Sequence, residues 1–442
     1  MMRLEEEVIR RIRPSEQLVR EVDTTAGVLL KRIEDMTSRH SEVMSVQLVG
    51  SVAKNTYVGR PDIDLFILFD VSTPRSTMND IALHIGKTIL PVHEERYAEH
   101  PYVHGKFEEF EVDIVPCYGV GDPSRLQSAV DRTPFHTRYV KERLTLGIRD
   151  QVRLLKQFMK GTGTYGAEAK VQGFSGYLAE LMVIKFGSFH DCLEAASRWK
   201  FGTKVSMEGV SSNRFQAPLV FIDPVDVTRN VASALSVDQF SRFVYAAQEF
   251  ISNSNEKFFF PDPKRSLGGD VLRTYFVDTG FKTVLVRCPR PAGIDDNVFP
   301  QARKTMEGLK VILEQAGFHI LDKALLIGSE VQMLFLLDTD VISACHKHIG
   351  PPVWMDTSKD FLSRWKGRSV GEPFVEGGRW VVIIPREHNE ASSLLRMNLN
   401  KASLGSAFKE LAFEIIQHDK AMADENRPIL TELIDKRMPW TR

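Results

Sequence analysis

The sequence has few cysteines and no long apolar run. Its four cysteines, Cys117, Cys192, Cys288 and Cys345, are scattered without a Cys-x-x-Cys pair, which argues against both a disulfide framework and a zinc site. The longest apolar run covers a few residues around 333–337, far short of the ~20 that a membrane span needs. The charged N-terminus also lacks the apolar stretch of a secretory signal. These absences predict no membrane helix, no export and a reducing cytoplasm.

Charge of neither sign predominates over the whole chain. The 442 residues hold 57 Lys and Arg against 58 Asp and Glu, with 43% hydrophobic and 26% charged residues. This composition excludes a disordered or collagen-like chain, and the length predicts two to four domains at roughly 100 to 200 residues each. The overall balance hides two segments of opposite charge. Residues 125–170 hold ten basic and four acidic side chains, and residues 94–113 hold seven acidic and two basic side chains.

Hydrophobic periodicity predicts a multi-domain chain of mixed α/β and α+β character. The first part is expected to form a small mixed sheet with helices, from a helix over about the first 30 residues, strands near 46–49, 63–69 and 110–115, and a helix near 78–89. The middle part is helical, from about 138 to 253, and ends at a break over 260–263. The last part is α+β, with strands near 283–287 and 380–384 and a helix near 301–315. The expected domains are 1–137, 138–256, 257–320 with 385–442, and an inserted 321–384.

The most informative stretch is a Gly-Ser pair at the end of an apolar strand. Gly50 and Ser51 follow the mostly apolar residues 46–49. Such a turn between a strand and a helix lets backbone N–H groups and a hydroxyl approach a phosphate closely, at the positive end of the helix dipole. The turn is therefore suited to holding a triphosphate.

Three carboxylates lie in strands that are otherwise apolar. Asp62 and Asp64 are spaced i and i+2, so both leave one face of the strand, about 6 to 7 Å apart along the backbone. Asp113 lies in the later strand 110–115. Buried unpaired carboxylates are costly, and a hard cation is the usual remedy. If the two strands are neighbours, the three carboxylates could hold two Mg²⁺ ions for phosphoryl or nucleotidyl transfer. Taken singly, the Asp pair would be solvated and the Gly-Ser an ordinary turn; their order along the chain favours a catalytic site.

A second pattern is a row of cations on one predicted helix. Arg149, Arg153, Lys156 and Lys160 are spaced 4, 3 and 4 apart, beside an apolar row of the same rhythm. A solvated face is the plain interpretation of such a row. The local excess of positive charge instead favours contact with a triphosphate and an RNA backbone.

Gly50-Ser51 followed by Asp62-x-Asp64 resembles the signature of the nucleotidyltransferase superfamily that includes DNA polymerase β and the poly(A) polymerases. Longer strings resemble the archaeal, class I CCA-adding enzymes, which are tRNA nucleotidyltransferases: RYAEHPYVHG at 96–105, AVDRTPFH at 129–136, YGAE at 165–168 with GFSGY at 173–177, and DPVD at 223–226 with RNVA at 229–232. The resemblance is dense from about residue 45 to 250 and weaker beyond. Asp62 stands where some relatives have Glu, and Lys54 stands where Arg often follows the Gly-Ser. Lys cannot grip a phosphate with the bidentate fork of Arg.

This resemblance implies a fold, a reaction and a site. It implies an N-terminal nucleotidyltransferase domain with a polymerase β-like mixed sheet, a helical central domain and α+β C-terminal RNA-binding domains. The implied reaction extends the 3′ end of tRNA with C, C and A from CTP and ATP, without a nucleic acid template. Asp62, Asp64 and Asp113 would be catalytic and would bind two Mg²⁺ ions. The residues implied in nucleotide binding are Gly50, Ser51, Lys54, His136, Lys156, Tyr165 and Arg229, with His100, Arg149 and Arg153 as further candidates.

The resemblance also implies partners. These are tRNA, held by its acceptor stem and T arm, and the substrates ATP and CTP, in a cytoplasmic protein with no membrane partner; a homodimer is an open alternative to a monomer. Two other functions stay open. One is a poly(A) polymerase-like or small-molecule nucleotidyltransferase, which shares the superfamily. The other is a non-catalytic RNA-binding relative, which the joint presence of Ser51 and the three carboxylates disfavours.

Overall fold

The structure is a computed structural model that describes residues 2–97, 99–209 and 215–442. Ala98, which belongs to one of the strings quoted above, and residues 210–214 lie outside the described residues. The chain divides into two compact units, one formed by Met1–Lys264 with Met438–Arg442 and the other by Arg265–Arg437. In the described residues, no helix is both long enough and apolar enough to cross a membrane.

The first unit contains helices and strands in alternation at its start and mostly helices later. Its helices are α1 (Met2–Ile12), α2 (Glu16–Thr37), α3 (Gly50–Lys54), α4 (Arg75–Ile89), α5 (Arg132–Lys141), α6 (Leu146–Thr162), α7 (Gly176–Phe186), α8 (Phe189–Ser197) and α9 (Val237–Ser252). Its strands are β1 (Val43–Leu48), β2 (Ile63–Phe69), β3 (Val92–Tyr97), β4 (Pro101–Phe107), β5 (Phe110–Tyr118), β6 (Thr203–Val205) and β7 (Leu219–Phe221).

Five of these strands form one mixed sheet, in the order β1-β2-β5-β4-β3. β2 and β5 pair in parallel, and the other neighbours are antiparallel. Side chains alternate between the two faces of a strand, so Ile63, Leu65 and Ile67 pack with α2 and α4, while Phe66 and Leu68 lie on the other face. Asp64 shares the face of Phe66 and Leu68. The mixed sheet expected from the sequence is confirmed.

Two local features differ from the sequence-based expectation. The helix expected over the first 30 residues is two helices, because Pro14 interrupts the first and Ser15 starts the second, where its hydroxyl accepts a hydrogen bond from Leu18 N. Strands β3 and β4 were not expected at all. β3 is almost fully exposed and rich in charge, so it lacks the apolar pattern by which strands are recognised.

The second unit is α+β, as expected. Its helices are α10 (Gly269–Thr279), α11 (Asp295–Ala316), α12 (Thr357–Trp365), α13 (Ala391–Asn398), α14 (His418–Ala421) and α15 (Arg427–Ile434). Its strands are β8 (Lys282–Pro289), β9 (Ile320–Ile327), β10 (Glu330–Leu337), β11 (Cys345–Pro352), β12 (Phe374–Glu376), β13 (Arg379–Pro385) and β14 (Glu414–Gln417). They form a four-stranded antiparallel sheet, β14-β8-β10-β9, and a three-stranded one, β11-β13-β12. β10 falls inside the expected insertion 321–384 yet pairs with β8; the four-domain division stays a prediction.

Candidate active site

Two of the three predicted carboxylates occupy adjacent positions of the sheet. Asp64 on β2 and Asp113 on β5 are direct partners in the parallel pair, so their strands are neighbours, as the sequence-based argument required, about 4.8 Å apart. Asp62 lies just before β2 and is exposed, whereas Asp64 and Asp113 are half-buried. Asp64 and Asp113 thus lie side by side on one face of the sheet, and Asp62 precedes Asp64 by two residues.

The carboxylates disturb one another's ionisation. Burial, together with the charges of Asp113 and Asp62, raises the pKa of Asp64 to about 7. Protein atoms that displace water, and again the charge of Asp113, raise the pKa of Asp62. This repulsion between like charges is what a bound divalent cation relieves. The donor atoms are all carboxylate oxygens, which are the ligands that a hard cation such as Mg²⁺ prefers. By charge and chemistry, the residues present fit such an ion.

His104, on β4, holds Asp113. Its Nδ1 lies 2.6 Å from Asp113 Oδ1 and its Nε2 lies 3.2 Å from Glu111 Oε2. Within the described residues, no three His, Cys, Asp or Glu side chains are placed so that they could hold an ion as they stand. The assignment of Asp62, Asp64 and Asp113 as metal ligands therefore stays a prediction.

The Gly-Ser turn lies directly against Asp64. Gly50 has a φ of +68°, and a Cβ added to it would be 1.8 Å from Asp64 Oδ2, so this position admits only glycine. Val49 N donates to Asp64 O at 3.0 Å, which ties the turn to β2. The helix that begins at this Gly-Ser pair, α3, has only five residues. Its dipole is accordingly weaker than the sequence-based argument assumed, and the turn's own N–H groups remain as the main phosphate donors.

A buried acid connects the turn to the helical part of the first unit. Glu180, fully buried on α7, accepts hydrogen bonds from Lys54 Nζ at 2.6 Å, Thr56 Oγ1 at 2.5 Å and Lys156 Nζ at 2.9 Å. We call these four residues the Glu180 cluster. Burial alone would raise the pKa of Glu180, but the charges of Lys156 and Lys54 outweigh it and bring it to about 2. Two ammonium groups share one carboxylate, so the cluster keeps one net positive charge.

The two lysines of the Glu180 cluster are bonded differently. Lys156 Nζ also donates to Thr56 O at 3.2 Å and to Thr56 Oγ1 at 3.1 Å, so all three of its hydrogens are engaged within the protein. Glu180 is the one hydrogen-bond acceptor of Lys54 Nζ among the described residues. Lys54 therefore keeps donors for a phosphate, whereas Lys156 could contact one only by giving up an existing bond.

The cationic row on α6 is buried at its two middle positions, Arg153 and Lys156. Arg153, Lys156 and Lys160 donate to backbone carbonyl groups of the segment 55–58, which connects α3 to β2. Arg153 is 6% exposed and Lys156 2%, so the solvated face is the wrong interpretation for these two. The Nε of Arg149 is buried and has no hydrogen-bond partner in the part of the chain that the structure describes.

A second buried acid gathers three side chains around it. Asp223 accepts from His136 Nε2 and from Arg229 Nη1, both at 2.9 Å, and from Tyr177 OH at 3.1 Å. We call these four residues the Asp223 cluster. Burial would raise the pKa of Asp223, but the hydrogen bonds, that from His136 first, bring it down to about 2. Burial lowers the pKa of His136, against the hydrogen bond and the charge of Asp223, which raise it.

Two predicted residues lie elsewhere in the first unit. Tyr165 lies against Gly176, at the start of α7, where an added Cβ would be 2.9 Å from the Tyr165 hydroxyl and 3.7 Å from Lys156 Nζ. The structure therefore brings Tyr165 and Lys156 together. His100 is 1% exposed, neither of its ring nitrogens has a hydrogen-bond partner among the described residues, and its ring meets the edge of Tyr118 at 6.0 Å.

The charge of Lys54 connects these groups. It lowers the pKa of Asp64 against the burial that raises it, and it adds to the burial that lowers the pKa of His136. Lys54 therefore lies within electrostatic reach of both the carboxylates and the Asp223 cluster. The sequence assigned no functional role to Glu180, Asp223, Tyr177 or His104, although the last three lie in the strings that carry the resemblance. Glu180 had a usable signal, since it is the one acid among the apolar residues 178–184 of α7.

Family models match the chain in three consecutive parts. The model for a nucleotidyltransferase domain matches residues 30–136, the model for the second domain of tRNA nucleotidyltransferase matches 150–260, and the model for the C-terminal domain of CCA-adding enzyme matches 279–418. Together they span the carboxylates, both buried clusters and most of the second unit.

Whole-chain relatives have one name in common. The CCA-adding enzyme of Methanothermobacter thermautotrophicus is 37% identical over 92% of this chain and 90% of its own length. The CCA-adding enzyme of Methanosarcina barkeri is 37% identical over 84% of this chain and 84% of its own length. That of Thermoplasma acidophilum is 33% identical over 96% of this chain and 96% of its own length. A solved structure of a cytoplasmic RNA terminal U-transferase aligns over 59% of this chain and 98% of its own, with 14% identity and a TM-score of 0.45, a similarity too low to bear on function.

Proposed function

The chain belongs to the CCA-adding enzymes of the archaeal type, and from that membership we propose that Asp62, Asp64 and Asp113 carry out its reaction. The enzyme is a nucleotidyltransferase that adds CCA to tRNA. In this reaction the 3′-hydroxyl of tRNA attacks the α-phosphorus of CTP or ATP, a new phosphodiester bond forms, and pyrophosphate leaves. Membership in this family argues against a non-catalytic relative and against a poly(A) polymerase.

We propose Mg²⁺ as the metal and the three carboxylates as its protein ligands. Asp62, Asp64 and Asp113 would hold such ions, which would supply positive charge to lower the pKa of the attacking hydroxyl and to neutralise the leaving pyrophosphate. The pKa of Asp64, which burial raises first and the charges of Asp113 and Asp62 raise further, supports this assignment. His104 orients Asp113 through its Nδ1, and Gly50 leaves room for Asp64 Oδ2.

The proposed triphosphate site is the turn at Gly50 and Ser51 with Lys54 behind it. The turn offers backbone N–H groups and a hydroxyl, and the Glu180 cluster adds one net positive charge at the end of α3. A buried positive charge of this kind is stabilised by a bound anion such as a phosphate group. Lys156 and Arg153 act mainly by holding the segment 55–58 in place, with Arg149 beside them on α6.

The proposed base and ribose contacts come from the helical part of the first unit. Arg229 lines a cleft of about 530 Å³ that would take the base, and the Asp223 carboxylate that holds Arg229 also holds His136. Tyr165 is available for stacking or for a ribose hydrogen bond, and buried His100 is a neighbour that shapes the site. The second unit is proposed to hold the acceptor stem and T arm of tRNA by shape. We also propose that the reaction takes place in the cytoplasm and that the protein forms a homodimer.

The observation that carries the metal and nucleotide assignments is the contact of Gly50 with Asp64, because it brings the phosphate turn and a metal carboxylate together. The test uses tRNA that lacks its 3′ CCA and each nucleoside triphosphate alone, with and without Mg²⁺. We expect CTP alone to extend the tRNA by two residues, ATP alone to extend it only after two C have been added, and no extension without a divalent cation. Efficient addition of A to tRNA without prior C would contradict the proposal.

A further inference from the structure

The carboxylate of Asp223 is fully engaged by the protein itself. Its Oδ2 accepts from His136 Nε2 and Arg229 Nη1, and its Oδ1 accepts from Tyr177 OH and from Val225 N at 3.0 Å. Four bonds use the whole acceptor capacity of a carboxylate, and the side chain is 0% exposed. Asp223 therefore has nothing left for a ligand, and its effect must pass through the side chains that it holds.

One of those side chains, Arg229, is bonded to Asp223 through a single guanidinium nitrogen. Its side chain is 34% exposed and gives Nη1 to Asp223, while Nε and Nη2 have no hydrogen-bond partner among the described residues. The backbone fixes the same turn, since Asp223 N donates to Arg229 O at 3.1 Å. Because the guanidinium is planar, fixing one nitrogen restricts the directions of the others. Arg229 thus keeps two donor groups of restricted direction and lines a cleft with Thr228 and Asn230.

The other two side chains form a stacked pair. The rings of His136 and Tyr177 lie 4.0 Å apart between centroids, with an angle of 21° between their planes. Both reach Asp223, one through Nε2 and the other through its hydroxyl. A movement of Asp223 would consequently shift the stacked pair and the donors of Arg229 together.

We propose that Asp223 is a specificity-determining positioning residue, which fixes the donors of Arg229 so that C and A are accepted and U and G are rejected. Cytosine N3 and adenine N1 accept hydrogen bonds, whereas uracil N3 and guanine N1 carry hydrogens. A guanidinium only donates hydrogen bonds. It can therefore favour a base with an acceptor at pyrimidine N3 or purine N1 over a base with a hydrogen there, but only if it is held in place. The inference rests on the proposed function, in which Arg229 contacts the incoming base.

The test compares the kcat/KM for CTP with that for UTP on tRNA lacking CCA. Asp223→Asn keeps the shape but places amide hydrogens or a weaker acceptor against the donors of His136 and Arg229. The ratio should fall by about tenfold or more, the effect of one misplaced bidentate contact, and most of the loss with CTP should be in KM. Asp131→Asn is the matched control, because Asp131 is equally buried and bonds Ser128 and Tyr118 but has no contact with Arg229. It should lower stability and leave the ratio unchanged.

A second variant covers the case in which Asp223→Asn does not fold. Tyr177→Phe removes one bond to Asp223 and keeps the ring against His136, and it should lower the ratio by about threefold, as one neutral hydrogen bond would. The inference is overturned if folded Asp223→Asn keeps the ratio of kcat/KM for CTP to kcat/KM for UTP within twofold of the wild-type value. Where Asp223→Asn does not fold, the same result with Tyr177→Phe overturns it. Failure of the wild-type protein to add C to tRNA would instead overturn the proposed function, so the two failures are distinct.

Discussion

At the scale of single residues, Gly50 leaves free the space that the Asp64 carboxylate occupies. Both Gly50 and Gly59 have a positive φ, +68° and +75°, but an added Cβ would strike Asp64 Oδ2 only at Gly50; at Gly59 nothing lies within 4 Å. We expect Gly50→Ala to displace the Asp64 carboxylate and to lower CCA addition by about a hundredfold, the usual effect of a small misplacement of a reacting group.

Gly59→Ala is the matched control for this variant. It carries the same backbone strain of about 1 kcal/mol without the clash, so it should lower the melting temperature slightly and leave the rate of tRNA extension near that of the wild type. Equal rates for the two variants would show that the contact between Gly50 and Asp64 is unimportant.

Asp113 gives the second prediction at this scale. Asp113→Ala should fold and bind tRNA normally, and it should lower nucleotide addition by about a thousandfold or more, because a charge at the reacting phosphate acts on the transition state rather than on tRNA binding. Rates and tRNA affinity are measured on the same preparation. Glu109→Ala, an exposed change in the turn between β4 and β5, should alter neither quantity. Robust addition by Asp113→Ala would refute the carboxylate assignment.

The adjacency of Asp64 and Asp113 could be predicted from the sequence, because two acids in largely apolar strands are costly to bury and indicate a shared site. The partners of buried charges could not. Glu180 bonds Lys54 across 126 positions and Lys156 across 24, and Asp223 bonds His136 across 87. Only the fold brings such groups together, so a pattern along the chain can indicate a buried acid but cannot name its counter-ion.

At the scale of elements, helices α3, α6 and α7 meet at the Glu180 cluster. Glu180→Gln would leave the ammonium groups of Lys54 and Lys156 buried without a counter-charge. We expect the free energy of unfolding at pH 7 to fall by about 3 kcal/mol, the usual cost of breaking a buried pair from one side. Equilibrium denaturation of wild type and variant measures this difference, and Glu142→Gln, on an exposed side chain, should show almost none.

The same variant has a characteristic pH dependence. The pKa of Glu180 is about 2 in the folded protein, below its ordinary 4.5. Its stabilising contribution is therefore complete above about pH 4.5 and is lost as the pH falls toward 2. The gap in unfolding free energy between wild type and Glu180→Gln should shrink over that window. A gap that stays constant from pH 7 to the acid range would exclude an ionised, lysine-bound Glu180.

Element boundaries followed from the sequence where the apolar pattern was clean. β2 spans Ile63–Phe69, as its apolar run predicted. The row on α6 shows the opposite case. Its spacing was recognised correctly, but a polar row beside an apolar one looks the same whether it faces water or the carbonyl groups of another segment, so the burial of Arg153 and Lys156 required the fold.

At the scale of the whole molecule, a net charge of -1 conceals a segment suited to RNA. Of the ten basic residues between 125 and 170, Arg153 and Lys156 are buried and bonded internally, so fewer than ten can reach phosphates. Exposed members such as Lys141 remain. tRNA affinity should fall at least tenfold between about 50 and 200 mM salt, and Lys141→Ala should reduce the slope of log affinity against log salt by about one. Binding titrations over a salt series measure both, and an affinity insensitive to salt would contradict this account.

The central claim, that this chain completes tRNA with C, C and A and then stops, is tested most directly by sequencing the 3′ ends that it makes. The substrate is tRNA ending before the CCA, and all four nucleoside triphosphates are present together with Mg²⁺. The account predicts that nearly every extended molecule ends in CCA with nothing added beyond it. Tails of repeated A or U, or ends that follow the relative concentrations of the four nucleotides, would contradict it.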